Sequence, residues 1–417
     1  MKDSNVELSK YRIRAAPSIM SERFDVLFAG LPEEKAIELL QTDPEELKNP
    51  VEKYTAATRL AACNSDASLR ALIEAIDLDP DNLFNRITRR KALEALGRRR
   101  DSRALPGLFS ALTFDDEPSV INAVDSIAQI GAALDEEQRR TLLDALGGSD
   151  NQKRSVIQAH TRLGIEKGER EISLLEEDNN PLVAGAARSY AARVHGRVDR
   201  LDPLIPQLTD PIAGRRRSAV IDLGDAGKSF VLKHLVSCPV SMPLRAKSAF
   251  QILDPEKTGE VPAQYTELIT TLLQDNPVDL ELRKDWICES SLSEIEKNLQ
   301  HRDEAKQYGG ALALMKMSDQ QKLNAIDHIH SKYWSDYGAN YLLTAVIGLN
   351  RVHERSDLVR TALAETLPQY AKSRVAAAWA CLSLELNDQI GLLQEIQLKA
   401  RWIPLKWSCE QVLKQMS

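Results

Sequence analysis

The sequence has few aromatic residues, glycines and prolines for its length. Aromatic side chains make up 5% of the 417 residues, with 19 glycines and 18 prolines. These contents are too low for a loop-rich β fold, whereas 43% hydrophobic and 28% charged residues are typical of a soluble helical protein. One compact core rarely needs so long a chain, so we expect several domains or growth by repetition.

Cysteine is also scarce, and its spacing excludes a disulfide framework. The five cysteines are odd in number and widely separated, and no CxxC pair occurs. This pattern predicts free thiols in a reducing compartment. They are Cys63, Cys238, Cys288, Cys381 and Cys409.

The chain lacks both a long apolar run and an excess of basic residues. Residues 1–20 contain no apolar stretch typical of a signal peptide, and the run over residues 341–349 is about half the roughly 20 residues that span a membrane. A net charge of −7 argues against nucleic-acid binding, which needs a basic surface. We expect a cytoplasmic protein without nucleic-acid or membrane partners.

Helices that end on a glycine recur through the first half of the sequence. Successive glycines are 34, 33, 32 and 28 residues apart and follow runs rich in alanine, leucine and isoleucine. Glycine readily adopts the left-handed conformation that ends a helix, so each one predicts a helix end. The five glycines are Gly97, Gly131, Gly164, Gly196 and Gly224.

A second helix follows each glycine, and a turn such as DEP (116–118), NNP (179–181) or TDP (209–211) then starts the next unit. Such a unit cannot bury its apolar face alone, so neighbouring units stack. The sequence therefore predicts an all-α fold, a HEAT-like α-solenoid (α/α superhelix). We expect an N-terminal helical cap (1–45), a regular array (46–255) and less regular, aromatic-rich helical repeats (256–417).

A solenoid of this kind presents a long concave groove, lined by the helices that end on the glycines. On those helices we expect residues one, four and five before the glycine to pack inward, and residues three, six and seven before it to be exposed. An N-terminal copy aligns on Ala61 and a late copy on Met315. The positions assigned to the groove are Tyr54, Arg90, Lys91, Glu94, Asp125, Thr161, Tyr190, Arg193, Arg217 and Tyr308.

Two alternatives bear on these residues. Each charge taken singly is also explained as an ordinary solvated helix face, but tyrosines beside cations and an acid favour a binding groove. A metal site is not expected, because His328 and His330 diverge on a helix and only one His-Glu pair, His353-Glu354, occurs.

Four stretches resemble the E/F-type phycobilisome bilin lyases, a cyanobacterial family of HEAT-like proteins. They are residues 7–20 (ELSKYRIRAAPSIM), 51–60 (VEKYTAATRL), 89–97 (RRKALEALG) and 116–131 (DEPSVINAVDSIAQIG). The first stretch and the single-chain length are most similar to the marine subgroup acting on phycoerythrin, which includes phycoerythrobilin lyases and lyase-isomerases. The family's tyrosine-bearing helix matches Tyr54, with Thr55 where heterodimeric lyases often carry a second aromatic residue.

The resemblance implies an enzyme that joins an open-chain tetrapyrrole to a phycobiliprotein cysteine through a thioether. It implies phycoerythrobilin as substrate with no cofactor, the α subunit of phycoerythrin as partner, and isomerisation of the bilin to phycourobilin. A pure phycoerythrobilin lyase and a non-catalytic HEAT scaffold or chaperone are the alternatives.

The groove residues suit the propionates, pyrrole N–H groups and flat surface of a bilin. Arginine and lysine pair with propionates, a carboxylate accepts from pyrrole N–H groups, and a tyrosine stacks or transfers a proton. We expect Tyr54, Asp125 and Tyr190 to be catalytic. The expected substrate contacts are Arg90, Lys91, Glu94, Thr161, Arg193, Arg217 and Tyr308.

Overall fold

The computed structural model describes residues 28–254 and 260–416. The stretch 7–20, which carries part of the resemblance, and residues 1–27 of the expected N-terminal cap lie outside them. The described chain is built of helices without a strand, which confirms the all-α prediction. Within it, no helix combines the length and apolar character needed to cross a membrane.

The chain forms two compact units, divided between Leu201 and Asp202. This division lies inside the range predicted for the regular array and does not coincide with the boundary expected at residue 255. The helices of the first unit are α1 Glu33–Gln41, α2 Val51–Leu60, α3 Asp66–Glu74, α4 Leu83–Arg99, α5 Leu105–Ser110, α6 Glu117–Ile130, α7 Glu136–Asp144, α8 Asp150–Leu163, α9 Glu169–Leu174 and α10 Pro181–Val194.

Long and short helices alternate in the first unit. Helix α4 spans 17 residues and α6, α8 and α10 span 14 each, whereas α5 and α9 span six. Helix α2 packs on α4, α4 on α6, α6 on α8 and α8 on α10, so these five helices form one layer. We call it the long-helix layer. The stacking of repeated helix pairs is the architecture that the glycine period predicts.

The predicted turns start two of the long helices. Asp116 caps α6 by accepting a hydrogen bond from the Ser119 amide at 3.1 Å, and Asn180 caps α10 through the Leu182 amide at 2.9 Å. The TDP turn acts less directly, because Asp210 accepts from the Ile212 amide and the helix begins one residue later. Side-chain caps satisfy amides that the first turn leaves unpaired.

The glycine prediction is confirmed at three of its five positions. Gly131 and Gly164 adopt the left-handed conformation (φ 66°) immediately after α6 and α8, and Gly196 (φ 71°) follows the end of α10 by two residues. These are the positions at which a residue without a side chain ends a helix most easily.

The prediction is wrong at Gly97 and Gly224, which lie inside helices. Helix α4 continues past Gly97 to Arg99 and ends at Arg100 (φ 55°), and the helix bearing Gly224 ends before Gly227. A Cβ on Gly97 would lie 2.7 Å from Ser126 Cα, and one on Gly224 would lie 2.7 Å from Ser248 Cβ. Both glycines therefore permit close packing between neighbouring helices.

The second unit is also helical and buries four of the five tryptophans, Trp286, Trp379, Trp402 and Trp407. Its long helices α18, α20 and α22 pack in sequence, as do α11 and α13. Its helices are α11 Ala213–Ala226, α12 Leu232–Ser237, α13 Met242–Leu253, α14 Thr266–Gln274, α15 Leu292–Leu299, α16 Glu304–Met315, α17 Asp319–Tyr333, α18 Tyr337–Leu349, α19 Ser356–Ala364, α20 Ala371–Ser383, α21 Ile390–Lys399 and α22 Ile403–Met416.

Candidate functional site

Three helices of the long-helix layer place a polar side chain at the same distance from their ends. Helices α4, α6 and α8 are each followed by a residue in the left-handed conformation. Counting six residues back from this left-handed residue, each of the three helices carries a partly buried polar side chain. On α2, the same count from the C-cap Ala61 also reaches a partly buried polar side chain. These side chains, called the acidic column below, are Thr55, Glu94, Asp125 and Gln158.

The two carboxylates of the acidic column, Glu94 and Asp125, lie on helices that a hydrogen bond joins beside them. Ser126 Oγ donates to the Leu93 carbonyl at 2.8 Å, across the contact between α6 and α4. Packed helices lie about 8–10 Å apart, so one elongated ligand can reach both Glu94 and Asp125. Asp125 also accepts a hydrogen bond from Ser155 Oγ of α8 at 3.1 Å.

Lys91 adds a cation beside the acidic column. Its Nζ lies 2.7 Å from Glu94 Oε2, and the two side chains are 36% and 38% exposed. Ion pairs this exposed contribute about 0–1 kcal/mol, so a ligand can replace either partner at little cost. Lys91 and Glu94 are therefore both partly exposed, and their role in binding stays a prediction.

Tyr54 and Arg193 lie at opposite ends of the long-helix layer. Tyr54 is partly buried on α2, next to Thr55 of the acidic column, and Arg193 is partly buried on the last turn of α10. Both side chains reach the surface. Because α4, α6 and α8 separate α2 from α10, the structure does not bring Tyr54 and Arg193 together.

Arg90 already binds a carboxylate of the protein. Its guanidinium makes a two-pronged contact with Asp116, with Nε 2.8 Å from Oδ2 and Nη2 on Oδ1. Arg90 lowers the pKa of the Asp116 carboxyl to about 2. Asp116 also caps α6, so this pair ties two repeats together and a propionate would have to displace it.

The prediction that Tyr190 faces the groove is wrong, because the side chain is fully buried. Its hydroxyl donates to the Ile165 carbonyl at 2.9 Å, and burial raises its pKa above the ordinary value. Helix α10 ends at Val194, with His195 as C-cap, so its end lies one residue further from the glycine than in α6 and α8. Ser189, the residue that this shift would select instead, is buried as well, so this part of α10 packs inward.

The prediction for Thr161 is also wrong. The side chain is 1% exposed and donates to the Ile157 carbonyl at 2.8 Å, within its own helix. Thr161 lies three residues before the left-handed residue that follows its helix. The same position is occupied by buried Gly97 on α4 and by buried Ala128 on α6. It is therefore a packing position on these three helices, whereas Gln158, three residues earlier on α8, is partly exposed.

Two predicted residues, Arg217 and Tyr308, belong to the second unit. Arg217 binds Glu304 with both prongs, at 2.8 and 2.7 Å, so it has a carboxylate partner within the protein. The prediction that Tyr308 is exposed is wrong, because it is 3% exposed. Helix α16 ends at Met315 without a glycine, and the alignment on that residue assigns the wrong face.

Tyr308 is part of a buried polar network that the sequence pattern did not indicate. Its hydroxyl donates to Asp275 Oδ2 at 2.7 Å, and Tyr341 and Arg245 contact the same carboxylate. Burial, reinforced by Asp275, raises the pKa of both tyrosines well above their usual value. The network stabilises the core of the second unit and offers no open face to a substrate.

The cysteines are poor candidates for a nucleophile. All five are unbridged, and only Cys288 is partly exposed. Burial raises the pKa of Cys238, Cys381 and Cys409 to about 12, and it raises the pKa of Cys63 and Cys288 as well. Because the thiolate is the reactive form, these groups stay inert near neutral pH.

Comparison with known proteins gives two relatives over most of the chain. The uncharacterized phycocyanin operon protein Y of Pseudanabaena tenuis (strain PCC 7409) is 28% identical over 365 residues, 87% of this chain and 86% of that protein. The bilin biosynthesis protein CpeY of Synechococcus sp. (strain WH8020) is 24% identical over 357 residues, 82% of this chain and 84% of that protein. No protein-family model matches the sequence.

A solved structure shares the fold. The complex of CpcE and CpcF of phycocyanin lyase from Nostoc sp. PCC7120 contains a chain that superposes with a TM-score of 0.51 at 21% identity. The match covers 59% of this chain and 95% of that chain. The similarity to these two relatives over most of the chain and the shared fold agree with the resemblance to the E/F-type bilin lyase family.

Proposed function

We propose that this chain is a phycobilisome bilin lyase, which joins an open-chain tetrapyrrole to a phycobiliprotein cysteine through a thioether. The observation that carries the proposal is the similarity, over 82% of the chain, to a protein named for bilin biosynthesis. In finer detail, the substrate is phycoerythrobilin, the acceptor is the α subunit of phycoerythrin, and the attached bilin is isomerised to phycourobilin.

In the attachment step, a thiol adds across the exocyclic double bond of ring A. The acceptor sulfur bonds to the outer carbon, and a proton is added to the ring carbon at the other end of the double bond. The thiol loses one proton and the bilin gains one, so no oxidant or reductant is consumed. The lyase has to orient the bilin and manage these protons, but it needs no cysteine of its own. Four of its five thiols are buried, which agrees with an enzyme that uses no cysteine of its own.

The acidic column provides the groups for this task. A carboxylate near the pyrrole N–H groups favours the protonated bilin, which is more electrophilic at ring A. Glu94 and Asp125 lie on neighbouring helices at one level, so both can face one elongated bilin. Lys91 is the exposed cation beside them and the best placed partner for a propionate.

Isomerisation of the attached bilin requires further proton transfers. Two protons leave neighbouring ring-A carbons, and two are added, one at the ring carbon beside the bridge and one at the bridging carbon, so the double bond moves into the ring while the mass stays constant. Tyr54 is the one tyrosine of the predicted catalytic set that reaches the surface, and it lies beside the acidic column. We assign these transfers to Tyr54 together with a carboxylate of the column.

Reconstitution tests the proposal. The purified chain is mixed with phycoerythrobilin and the apo α subunit of phycoerythrin, and the subunit is then denatured. A bilin that stays attached, with a shorter-wavelength absorption and unchanged adduct mass, supports a lyase-isomerase. Attachment at the original wavelength limits the activity to a lyase. Binding of the subunit without attachment contradicts catalysis and supports a scaffold.

A further inference from the structure

A pair of tyrosines at the surface of the second unit, Tyr337 exposed and Tyr370 partly buried, plays no part in the proposed chemistry. Tyr337, the first residue of α18, and Tyr370, just before α20, meet edge to face with ring centroids 5.1 Å apart at an interplanar angle of 89°. Tyr337 is 39% exposed and the neighbouring Leu367 is 45% exposed. The Tyr370 hydroxyl donates to the Ser335 carbonyl at 3.1 Å, which fixes the orientation of its ring.

Two carboxylates border the pair, and both are held by backbone amides. Asp336 Oδ1 accepts from the amides of Gly338 and Ala339 at 2.9 and 2.8 Å, and Glu365 Oε1 accepts from the Leu367 amide at 2.8 Å. Burial raises the pKa of Tyr370, with contributions from Tyr337 and from both carboxylates. Two carboxylates therefore border the rings, and Asp336 also interacts with Lys372.

We propose that Tyr337, Tyr370 and Leu367 form a docking surface for the acceptor phycobiliprotein. The acceptor contacts the two rings with an arginine or lysine side chain and contacts Leu367 with a neighbouring aliphatic side chain. The proposal rests on the proposed function for the identity of the partner. We call these three residues the tyrosine ledge.

The chemistry of the tyrosine ledge selects this partner. Aromatic faces beside carboxylates attract a guanidinium or ammonium group, and Leu367 provides apolar contact next to it. The ledge is an open surface rather than an enclosed cage, which suits a side chain on a protein better than a small free cation. A second copy of this chain is disfavoured, because its net charge is −7 and acidic faces repel.

Binding of the apo α subunit of phycoerythrin to the full chain tests the proposal. The variants are Tyr337→Ala, which removes the exposed ring, and Asp336→Asn and Glu365→Gln, which remove charge but keep the oxygen that accepts from the amides. The matched control is Leu398→Ala, an 83% exposed side chain on α21. Thermal unfolding establishes that each variant is folded.

We expect Tyr337→Ala to raise the Kd for the subunit about tenfold or more, and the two charge variants to raise it about threefold to tenfold with a weaker dependence on salt. Leu398→Ala leaves it within about twofold. At saturating acceptor, Tyr337→Ala attaches bilin as fast as the unaltered chain.

An unchanged Kd for folded Tyr337→Ala overturns the proposal. Self-association of the unaltered chain that Tyr337→Ala abolishes, with unchanged acceptor binding, also overturns it and assigns the ledge to a dimer interface. If the unaltered chain binds the subunit through the ledge but attaches no bilin, the docking surface stands and the proposed function fails.

Discussion

Glu94 and Asp125 occupy the same position on neighbouring helices, each six residues before the left-handed residue that ends its helix. Their surroundings differ, because Glu94 pairs with Lys91 whereas Asp125 accepts from Ser155. We expect an elongated ligand across α4 and α6 to contact both, and this arrangement is the centre of the candidate site.

Tyr190 should contribute to stability and not to catalysis. Tyr190→Phe removes a buried hydroxyl and leaves the Ile165 carbonyl without its donor. We expect the free energy of unfolding to fall by about 1–2 kcal/mol, as for other buried hydrogen bonds. Urea unfolding measures the loss, and bilin attachment should proceed at the rate of the unaltered chain. A large loss of attachment without a loss of stability would restore Tyr190 as a catalytic residue.

Gly97 should be intolerant of a side chain. Gly97→Ala places a methyl group within 2.5–2.7 Å of Ser126, so α4 and α6 must move apart. Overpacking of this kind typically costs about 1–3 kcal/mol, which denaturant unfolding would detect. Gly391→Ala on α21 is the control, because no atom lies within 4 Å of the added methyl group, and it should be neutral or slightly stabilising. Equal stability of the two variants would contradict the close contact.

His160 should make the chain less stable in mild acid. It is fully buried, and burial lowers its pKa to about 4, below the value near 6.5 of an unfolded chain. Between these values the unfolded state binds more protons, so stability falls as the pH drops from about 7 towards 4.

Because of His160, we expect the free energy of unfolding to be about 2 kcal/mol lower at pH 5 than at pH 8. This value follows from about 1.4 kcal/mol for each unit of pKa difference between the folded and unfolded states. Comparing urea unfolding of the unaltered chain and His160→Asn at both pH values isolates it, since other groups titrate alike in the two proteins. Parallel pH dependences would show that His160 is not responsible.

The sequence predicts the stacked-helix fold because a glycine at a helix end and a regular apolar spacing are local signals. Gly131 and Gly164 act as predicted. Gly97 and Gly224 were wrongly predicted to end helices, because glycine also occurs where two helices pack closely. The serine that each glycine packs against, Ser126 or Ser248, lies on another helix and is identified only in the structure. Residue spacing alone does not distinguish these two uses.

The site was predictable in part for the same reason. Glu94 and Asp125 reach the surface as expected, whereas Tyr190 and Thr161 are buried. Counting from the last helical residue, rather than from the glycine, changes the result only on α4, where it places Glu94 at the position of Asp125 on α6 and Gln158 on α8. The buried contacts of Tyr308 with Asp275 and Arg245 join segments far apart in the chain, so no local pattern indicates them.

The rate of bilin attachment in Glu94→Gln and Asp125→Asn tests the central claim most directly. The measurement uses a single turnover at saturating acceptor, with Glu137→Gln on α7 as an exposed control and acceptor binding measured in parallel. We expect each column variant to slow attachment about 10- to 100-fold, with the Kd for the acceptor within about twofold and Glu137→Gln unaffected. Attachment at the unaltered rate in both column variants would contradict the assignment of the acidic column as the catalytic site.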